Sequence, residues 1–367
     1  MPRWAQPQDM AKVRDLWQAR FGDSDAFADF FFRERARPET TVVYEETGCI
    51  SSALQIPPVR VRIRGSSVRG AMLCGVSTAQ HFEGRGHMGA CLRFAMHALS
   101  DAGHAVIVQK PVDFRIYRHF SFVPVSDTQL FSLPPASCTN PPVSPLIPVR
   151  PQLLPQMRSL YTRFCLPYST CLARSAHDFR IKLSDYLCDG GEGWVIEGQS
   201  GQLAAYAFCE TLEGCLHLRE GAWQGAEAMQ RLFTALRSRA AGYGLGFSGR
   251  IPPGQALAFP AKQVPFGAAA IANTSALLRK VFHDPRFCVE VTGSTVESNN
   301  GIFDLNGYRV QRDPDFICTA GQLIQLACGY RSLHTLAEEG AQICSVSRAE
   351  EFDRCWPEQP CFTWDEY

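Results

Sequence analysis

A short glycine-containing turn is the part of the chain whose residue types best suit chemistry. Residues 83–88 read Glu-Gly-Arg-Gly-His-Met, follow an apolar stretch at 71–76 and precede a run of apolar residues at helical spacing. Glycines let the backbone approach a ligand, and the unpaired amides and dipole of a helix N-terminus attract an anion. The turn therefore predicts a pyrophosphate site at the start of a helix.

Two common nucleotide-binding patterns do not fit this turn. It lacks the Lys-Ser/Thr pair of a P-loop, and it lacks the third glycine and the tight strand-to-turn junction of a dinucleotide fingerprint. A strand at 105–108 follows the helix, and residues 116–122 then read Ile-Tyr-Arg-His-Phe-Ser-Phe. The phenol of Tyr117, with an unperturbed pKa of about 10, keeps its proton at neutral pH and can protonate a thiolate.

The elements that would position the turn alternate between helix and strand. Apolar spacing predicts a helix from Asp9, a second helix capped by Ser24, and strands at 40–44, 49–55, 59–64 and 68–76. This order predicts a mixed α/β fold rather than a doubly wound sheet.

Three arginines alternate with apolar residues along one predicted strand, at positions 60, 62 and 64. We interpret them as a solvated or interface face of that strand. Nucleic-acid binding would require aromatic or groove-fitting neighbours, which this segment lacks.

The rest of the chain divides into two further blocks. A proline-rich stretch at 134–148 indicates a boundary. The second block repeats the helix and strand order of the first, but residues 221–225 (Gly-Ala-Trp-Gln-Gly) do not supply the phosphate-binding pattern, so we interpret it as a degenerate copy. Segments at 287–291, 301–305, 308–311, 320–328 and 333–339 indicate a small α+β unit. The predicted domains are 1–135, 146–280 and 281–367.

Composition excludes several classes of protein. Among 367 residues, 36 basic and 36 acidic side chains balance, so no global charge directs the chain to nucleic acid or a membrane. No apolar run approaches the roughly 18–20 residues that span a bilayer. The N-terminus lacks the apolar core of a signal peptide, and a cytoplasmic protein is the simplest interpretation.

The fifteen cysteines form no Cys-x-x-Cys pair, and the nine histidines show no ligand spacing, so we predict no metal site. Cys91 lies on the apolar face of the predicted helix, and we expect it to fill the core rather than carry an acyl group.

The turn and its flanks resemble the acyl-CoA turn of GNAT N-acetyltransferases, Arg/Gln-x-x-Gly-x-Gly/Ala. Over residues 75–122, including the Ile-Tyr-x-x-Phe-x-Phe stretch, the resemblance is most specific to the Eis-type (enhanced intracellular survival) acetyltransferases. These are similar in domain order, with an acetyl-CoA-binding GNAT domain, a degenerate GNAT domain and a sterol-carrier-protein-like domain. The resemblance implies acetyl-CoA as cosubstrate and a ring-like homo-oligomer, a hexamer.

The resemblance also implies cofactor contacts from three segments. The backbone of the strand before the turn would pair with pantetheine, the amides of the turn would bind pyrophosphate, and two later residues would lie beside the cofactor. These are Val76, Ser77 and Thr78; then Gly84, Arg85, Gly86, His87, Met88 and Gly89; and finally Val112 and Asp113. The sequence departs from the family pattern at Glu83, where the motif has Arg or Gln. Its carboxylate would repel pyrophosphate unless Arg85 offsets the charge.

Four further residues acquire roles from the same resemblance. Tyr117 would be the general acid and the α-carboxylate of Tyr367 the general base, while Glu366 and Asp23 would face the substrate. Their charges suit a cationic acceptor such as a polyamine-like, aminoglycoside-like or lysine-like amine. The leading hypothesis is direct acetyl transfer from acetyl-CoA to a primary amine of a small molecule or peptide.

Two other functions stay open at this point. A non-catalytic acyl-CoA-binding, lipid-binding or regulatory module would use an apolar cavity of the third domain, and both Glu83 and the degenerate copy favour it. Acyl transfer to a hydroxyl or an aminoacyl group would share the cofactor site and differ only in the acceptor.

Overall fold

A computed structural model describes residues 1–136, 145–198 and 201–363 of the protein. The strands are β1 (Pro2–Trp4), β2 (Thr41–Glu46), β3 (Cys49–Gln55), β4 (Pro58–Ile63), β5 (Ser66–Met72), β6 (Cys74–Thr78), β7 (Val106–Gln109), β8 (Val123–Leu133), β9 (Ile147–Pro148), β10 (Thr170–Ala173), β11 (Glu192–Glu197), β12 (Leu203–Leu212), β13 (Cys215–Trp223), β14 (Gly246–Ile251), β15 (Lys262–Ile271), β16 (Cys288–Thr292), β17 (Gly301–Asp304), β18 (Phe316–Thr319) and β19 (Gln342–Ile343).

The helices pack on both faces of the sheets and between the blocks. They are α1 (Met10–Phe21), α2 (Asp25–Glu34), α3 (His87–Asp101), α4 (Phe114–Tyr117), α5 (Leu154–Phe164), α6 (Ala176–Cys188), α7 (Gly225–Gly242), α8 (Thr274–Val281), α9 (Ala320–Cys328), α10 (Leu333–Glu338) and α11 (Val346–Cys355).

Three sheets organise the described part of the chain. A four-stranded sheet has the order β1-β2-β3-β6, an eleven-stranded sheet the order β10-β4-β5-β7-β15-β8-β14-β13-β12-β11-β9, and a second four-stranded sheet the order β17-β16-β18-β19. The predicted mixed α/β fold is confirmed. The large sheet contains strands from both sides of the predicted boundary at 146, because β15 lies between β7 and β8. The limits of the three predicted domains stay a prediction.

The first small sheet is covered on both faces because its strands alternate two sets of apolar residues. Val13 and Leu16 of α1 pack with Val43 and Ala53 on one face. Helix α3 packs on the opposite face, against Val42, Leu54 and Ile107. As predicted, Ser24 caps α2, where its hydroxyl accepts the amide of Phe27 at 3.1 Å.

One long hairpin connects this small sheet to the large one. Strands β4 and β5 pair in the large sheet, and their continuations β3 and β6 pair in the small one. The register changes by one residue between Ala53↔Ser77 and Gln55↔Cys74, which places a bulge at Gly75. Gly75 has φ +57°, and a Cβ there would collide with the Trp17 ring and the Gln55 side chain. Only glycine fits this bulge without rearrangement.

The arginine stripe of β4 is an interface at Arg62 and Arg64, whereas Arg60 is exposed. The Arg62 guanidinium donates to the carbonyls of Cys165 and Tyr168, just beyond the end of α5. Arg64 donates to Ala327 and Leu326 of α9 at 3.1 Å and to Trp356, which follows α11, at 3.2 Å. Carbonyls at a helix C-terminus have no intrahelical donor, so these guanidinium groups satisfy them and join three parts of the chain.

Several elements differ from the sequence-based expectation. Residues 308–311 form only an isolated bridge, Phe303↔Arg309, rather than a strand. Strands β10 and β15 and helix α11 have no counterpart in the sequence-based assignment. Most of the proline-rich stretch, residues 137–144, lies outside the described residues.

Replacing Arg64 with methionine keeps the apolar stem and removes all three hydrogen bonds to helix-end carbonyls. Because buried acceptors then lose a charged donor, we expect the free energy of unfolding to fall by about 2–3 kcal/mol, measured by urea denaturation. The matched control is Arg60→Met on the same strand, where the exposed side chain should change stability by less than about 0.5 kcal/mol. Equal effects of the two substitutions would contradict this account of the stripe.

Candidate active site

Strands β6 and β7 separate to form a cleft at the centre of the N-terminal block. The amide of Leu73 donates to the carbonyl of Val108 at 2.8 Å, just before β6 begins. Beyond this bond, β6 belongs to the small sheet and pairs with β3, while β7 pairs with β5 and β15 in the large sheet. Strand β6 is therefore an edge strand whose side facing away from β3 is unpaired.

The predicted pantetheine-binding residues, Val76, Ser77 and Thr78, lie on this edge strand. The Ser52 hydroxyl donates to the carbonyl of Ser77 at 2.9 Å, so the backbone groups of Ser77 face β3. Backbone directions alternate along a strand, which turns the amide and carbonyl of Val76 toward the unpaired side. The edge thus offers main-chain hydrogen bonds to an extended ligand.

The glycine turn lies between this strand and α3, exposed to solvent. Gly84 and Gly86 have φ angles of +77° and +79°, and a Cβ at either would meet nothing within 4 Å. These conformations suit glycine, and the space above both residues is open. The amide of Arg85 is partly engaged, since it donates to the carbonyl of Phe82 at 3.4 Å.

Helix α3 begins directly after the turn without a side-chain cap. Its N-cap residue is Gly86, and its first hydrogen bond runs from the amide of Ala90 to the carbonyl of Gly86, at 3.0 Å. The amides of His87, Met88 and Gly89 therefore form an uncapped helix N-terminus, which carries partial positive charge. The residues present fit a diphosphate at this position.

The carboxylate of Glu83 is neutralised by a residue that the sequence did not suggest. Arg20, at the end of α1, forms an ion pair with Glu83 at 2.5 Å. Arg85 instead lies 3.7 Å from Glu46, with its guanidinium 5.1 Å from the centre of the Phe82 ring. The expected compensation of Glu83 therefore comes from Arg20.

The side chain of His87 fastens the start of α3 to the sheet. Its buried ring stacks on Tyr44 with centroids 4.0 Å apart, and its Nδ1 lies 2.8 Å from the Ser51 hydroxyl. This contact orients the first turn of the helix and leaves the His87 amide at the helix end.

Tyr117 is the last residue of the short helix α4. Tyr117 is 8% exposed and belongs to an apolar cluster against which Val76 and Met88 also pack. The Phe120 ring, three residues on, lies 3.3 Å from the position of a Cβ on Gly89. Burial raises the pKa of Tyr117 above its ordinary value of 10.0, so the phenol stays protonated at neutral pH.

The segment between β7 and α4 contains the two residues predicted to lie beside the cofactor. Val112 is exposed and lines the cleft between the N-terminal block and the second block. Asp113 caps α4 by accepting the amide of Arg115 at 2.8 Å. The guanidinium of Arg115 bonds the same carboxylate and holds the pKa of Asp113 below its usual range.

A cleft of ≈ 540 Å³ opens between the N-terminal block and the second block. The structure brings Asp23, Gly75 and Val112 together on its wall. The Asp23 carboxylate accepts the indole N–H of Trp17 at 2.8 Å, which fixes its orientation.

The second block adds three carboxylates to this cleft, from Asp185, Asp189 and Glu210, which sequence reasoning missed. Asp185 bonds Arg35 at 2.9 Å, and Glu210 bonds Arg219 at 2.8 Å. Within the described part of the chain, Asp189 and Asp23 form no ion pair. The four carboxylates outnumber the two cations of the lining, Lys110 and Arg219, so the cleft is acidic. No local pattern marks these residues, because only the fold places them opposite Asp23.

The last described residues pack against β15, which pairs with β7. Cys361 and Phe362 are buried, and Thr363 Cγ2 lies 3.0 Å from the position of a Cβ on Gly267. The next residue of β15, Ala268, pairs with Gln109 at the end of β7. The predicted site residues Glu366 and Tyr367 lie outside the described residues.

Other chemistry is poorly supported by the geometry. Cys91 is fully buried on α3, and burial raises the pKa of its thiol to about 12, so it is not available as a thiolate nucleophile. The described residues contain no group of three His, Cys, Asp or Glu side chains arranged to hold a metal ion. Among the described helices, none combines the length and the apolar character that crossing a membrane requires.

Residues 2–125 match the family model described as an acetyltransferase (GNAT) domain. No curated protein sequence is significantly similar to the chain. Among solved structures, a probable N-acyltransferase from Enterococcus faecalis V583 superposes with a TM-score of 0.84 at 15% identity, covering 100% of this chain and 99% of that one. Eis1 from Mycobacterium abscessus superposes with a TM-score of 0.75 at 14% identity, covering 100% of both chains.

A third solved structure holds an acyl-CoA. Saccharomyces cerevisiae N-myristoyltransferase with bound myristoyl-CoA has a TM-score of 0.50 at 9% identity, covering 73% of this chain and 81% of that one. These similarities to solved structures show a shared fold. The family match indicates an acetyltransferase (GNAT) domain over residues 2–125, about a third of the chain.

Proposed function

We propose that the protein is an acetyl-CoA-dependent N-acetyltransferase that acts on a primary amine of a small molecule or peptide. One observation carries the proposal: the uncapped N-terminus of α3 follows the unpaired edge strand β6, and Tyr117 belongs to the apolar cluster on which Val76 of β6 and Met88 of α3 also pack. An anion-binding end, a main-chain edge and a protonated acid are the groups that thioester transfer needs in one place.

The cosubstrate would lie along β6 and across the turn. Val76, Ser77 and Thr78 would pair with its pantetheine arm, and the amides of the turn and the first turn of α3 would hold its pyrophosphate. The amide of Val76, which faces the unpaired side, would donate to the oxyanion as it develops on the thioester carbonyl. Val112 and Asp113 would lie beside the reacting end.

Proton transfer would involve two groups of the chain. Tyr117 donates its proton to the departing thiolate, and its burial keeps that proton in place above neutral pH. The predicted base, the α-carboxylate of Tyr367, stays a proposal. Thr363, the last described residue, lies beside Gly267 of β15, and the next residue of that strand pairs with Gln109 at the end of β7.

The acidic cleft supports a cationic acceptor. Asp23 and Asp189 would attract an ammonium group toward the gap between β6 and β7, and Glu366 would add to the same field. This charge suits polyamine-like, aminoglycoside-like or lysine-like amines. The proposed reaction needs only positioning and proton transfer, with no covalent enzyme intermediate.

The non-catalytic alternative has weaker support. Glu83 was one of its two reasons, and Arg20 neutralises that carboxylate. Such a module would also use an apolar cavity of the third block. The cavity where Ile324 and Cys328 of α9 meet the large sheet has a volume of ≈ 40 Å³, too small for an acyl chain.

Release of CoA from acetyl-CoA, measured with spermidine, kanamycin and a lysine peptide, tests the function. We expect turnover with at least one amine. For Tyr117→Phe we expect kcat to fall by about 10²- to 10⁴-fold, because the substitution removes only the hydroxyl group that donates the proton. Calorimetry should show nearly unchanged acetyl-CoA binding to the variant. Binding without turnover on any amine would favour the non-catalytic module, and turnover only with hydroxyl analogues would favour acyl transfer to oxygen.

Two substitutions test whether the turn binds the pyrophosphate. Glu83→Gln removes a negative charge beside the anion and should lower the Kd for acetyl-CoA. Arg20→Ala leaves Glu83 uncompensated and should raise that Kd by about two- to fivefold, the range expected for an exposed ion pair. The double variant should return close to the parent Kd. A Kd insensitive to all three would place the diphosphate elsewhere.

Removal of residues 364–367 tests the proposed base. We expect kcat for the amine to fall by about 10²-fold or more, while acetyl-CoA binding changes little, because general-base catalysis typically contributes 10²- to 10⁴-fold. The matched control is Glu366→Gln, which keeps the terminal carboxylate and should mainly raise KM for a cationic acceptor. Full activity of the shortened chain would assign the base to another group.

A further inference from the structure

We propose that the protein has a second ligand site, which binds a small anion carrying phosphate or carboxylate groups in a basic pocket between its first and second blocks. This basic pocket has a volume of ≈ 350 Å³ and is walled by the end of α2, strands β4, β5 and β10, and helix α6. It lies apart from the glycine turn, and it shares no lining residue with the acidic cleft.

The lining of the basic pocket is strongly cationic. Five arginine and lysine side chains face two carboxylates, those of Glu34 and Asp178. Both carboxylates have partners of their own. Glu34 bonds Arg33 at 2.9 Å, and Asp178 accepts the amide and hydroxyl of Ser175 at 2.8 and 2.7 Å to cap α6. Three of the five cations pair with carboxylates outside the lining, Arg35 and Lys182 with Asp185 and Arg174 with Glu220. The remaining two, Arg60 and Arg69, form no ion pair with a described carboxylate.

Two arginines at the mouth of the pocket carry the argument. Arg60 and Arg69 are directly opposite each other in the antiparallel pair of β4 and β5. Neither forms an ion pair with any described carboxylate, and Arg69 donates to the carbonyl of Ala102 at 3.0 Å. Like charges placed directly across a strand pair are destabilising unless something neutralises them. An anion bound between the two guanidinium groups would do so.

The surroundings support this assignment. Burial lowers the pKa of nearby His104, and the positive charges of Arg69 and Arg60 lower it further. The field of the two guanidinium groups therefore extends into the first block. Guanidinium groups bind phosphate and carboxylate in a bidentate manner, and two facing groups can hold one anion from both sides. Pro57 and Pro58 form part of the wall and restrict its backbone. An enclosed pocket of this size suits a small molecule rather than an extended polyanion.

The position of the pocket connects it to the acidic cleft. Arg35 lines the pocket, and its ion-pair partner Asp185 lines the cleft. An anion in the pocket would share the guanidinium of Arg35, which would then neutralise the Asp185 carboxylate less completely. An anion bound in the pocket would thereby strengthen cation binding in the cleft. This consequence rests on the proposed function, but anion binding in the pocket is independent of it.

Calorimetric titration of the full chain with inorganic phosphate, pyrophosphate and citrate tests the site. We expect saturable binding of at least one of them at millimolar concentration or below, weakened at least tenfold by Arg60→Gln and by Arg69→Gln. Arg354→Gln, an exposed arginine of α11, is the matched control and should bind as the parent does. Thermal unfolding confirms that each variant is folded, and without anion Arg60→Gln should be no less stable than the parent.

Two further measurements separate this site from the glycine turn. Arg20→Ala should leave anion binding in the basic pocket unchanged, and Arg60→Gln should leave the Kd for acetyl-CoA unchanged. The test of the basic pocket therefore does not depend on whether the protein transfers acetyl groups. Preference for citrate over phosphate would identify a carboxylate ligand, and the reverse a phosphate ligand. No saturable binding, or binding unaffected by both arginine substitutions, would overturn the proposal.

Discussion

The separation of β6 from β7 is the constraint on which the candidate site depends. The two strands meet at the bond between Leu73 and Val108 and then enter different sheets. The bulge at Gly75 redirects β6, and the Trp17 ring occupies the space that a side chain there would need. As a result, β6 keeps one unpaired edge, and that strand connects Gly75 on the wall of the cleft to the glycine turn before α3. A continuous sheet would have used the same main-chain groups for strand pairing.

A second constraint holds the blocks around that opening. Arg62 and Arg64 extend from β4 to the C-terminal ends of α5, α9 and α11, and β15 lies within the large sheet between β7 and β8. These contacts join residues far apart in the chain. They also explain how carboxylates of the second block come to face Asp23, because the position of α6 relative to α1 and α2 is fixed by the shared sheet.

The sequence was informative where the signal is local. Gly84 and Gly86 preceding an apolar helical run predicted the turn and α3, and Ser24 predicted the start of α2, because turn chemistry and capping depend on neighbouring residues. Pairing across the chain was not predictable in this way. The alternation of Arg62 and Arg64 shows that they share a face of β4, but which element covers that face depends on helices a hundred or more residues away. Arg20 and Glu83 are similarly separated, by 63 positions.

The pair of α2 and α6 divides two regions of opposite charge. On one side lie Asp23, Asp189 and their cleft, and on the other lie Arg60, Arg69 and the basic pocket. The bond between Arg35 and Asp185 crosses between them with both side chains largely buried, at 8% and 13% exposure. A buried charge responds strongly to a change in its partner's environment, because water screens it little. Lys182, which also lines the basic pocket, bonds the same Asp185 carboxylate at 3.3 Å. Charge arriving on either side of this helix pair would therefore alter the potential on the other through the two ion pairs of Asp185.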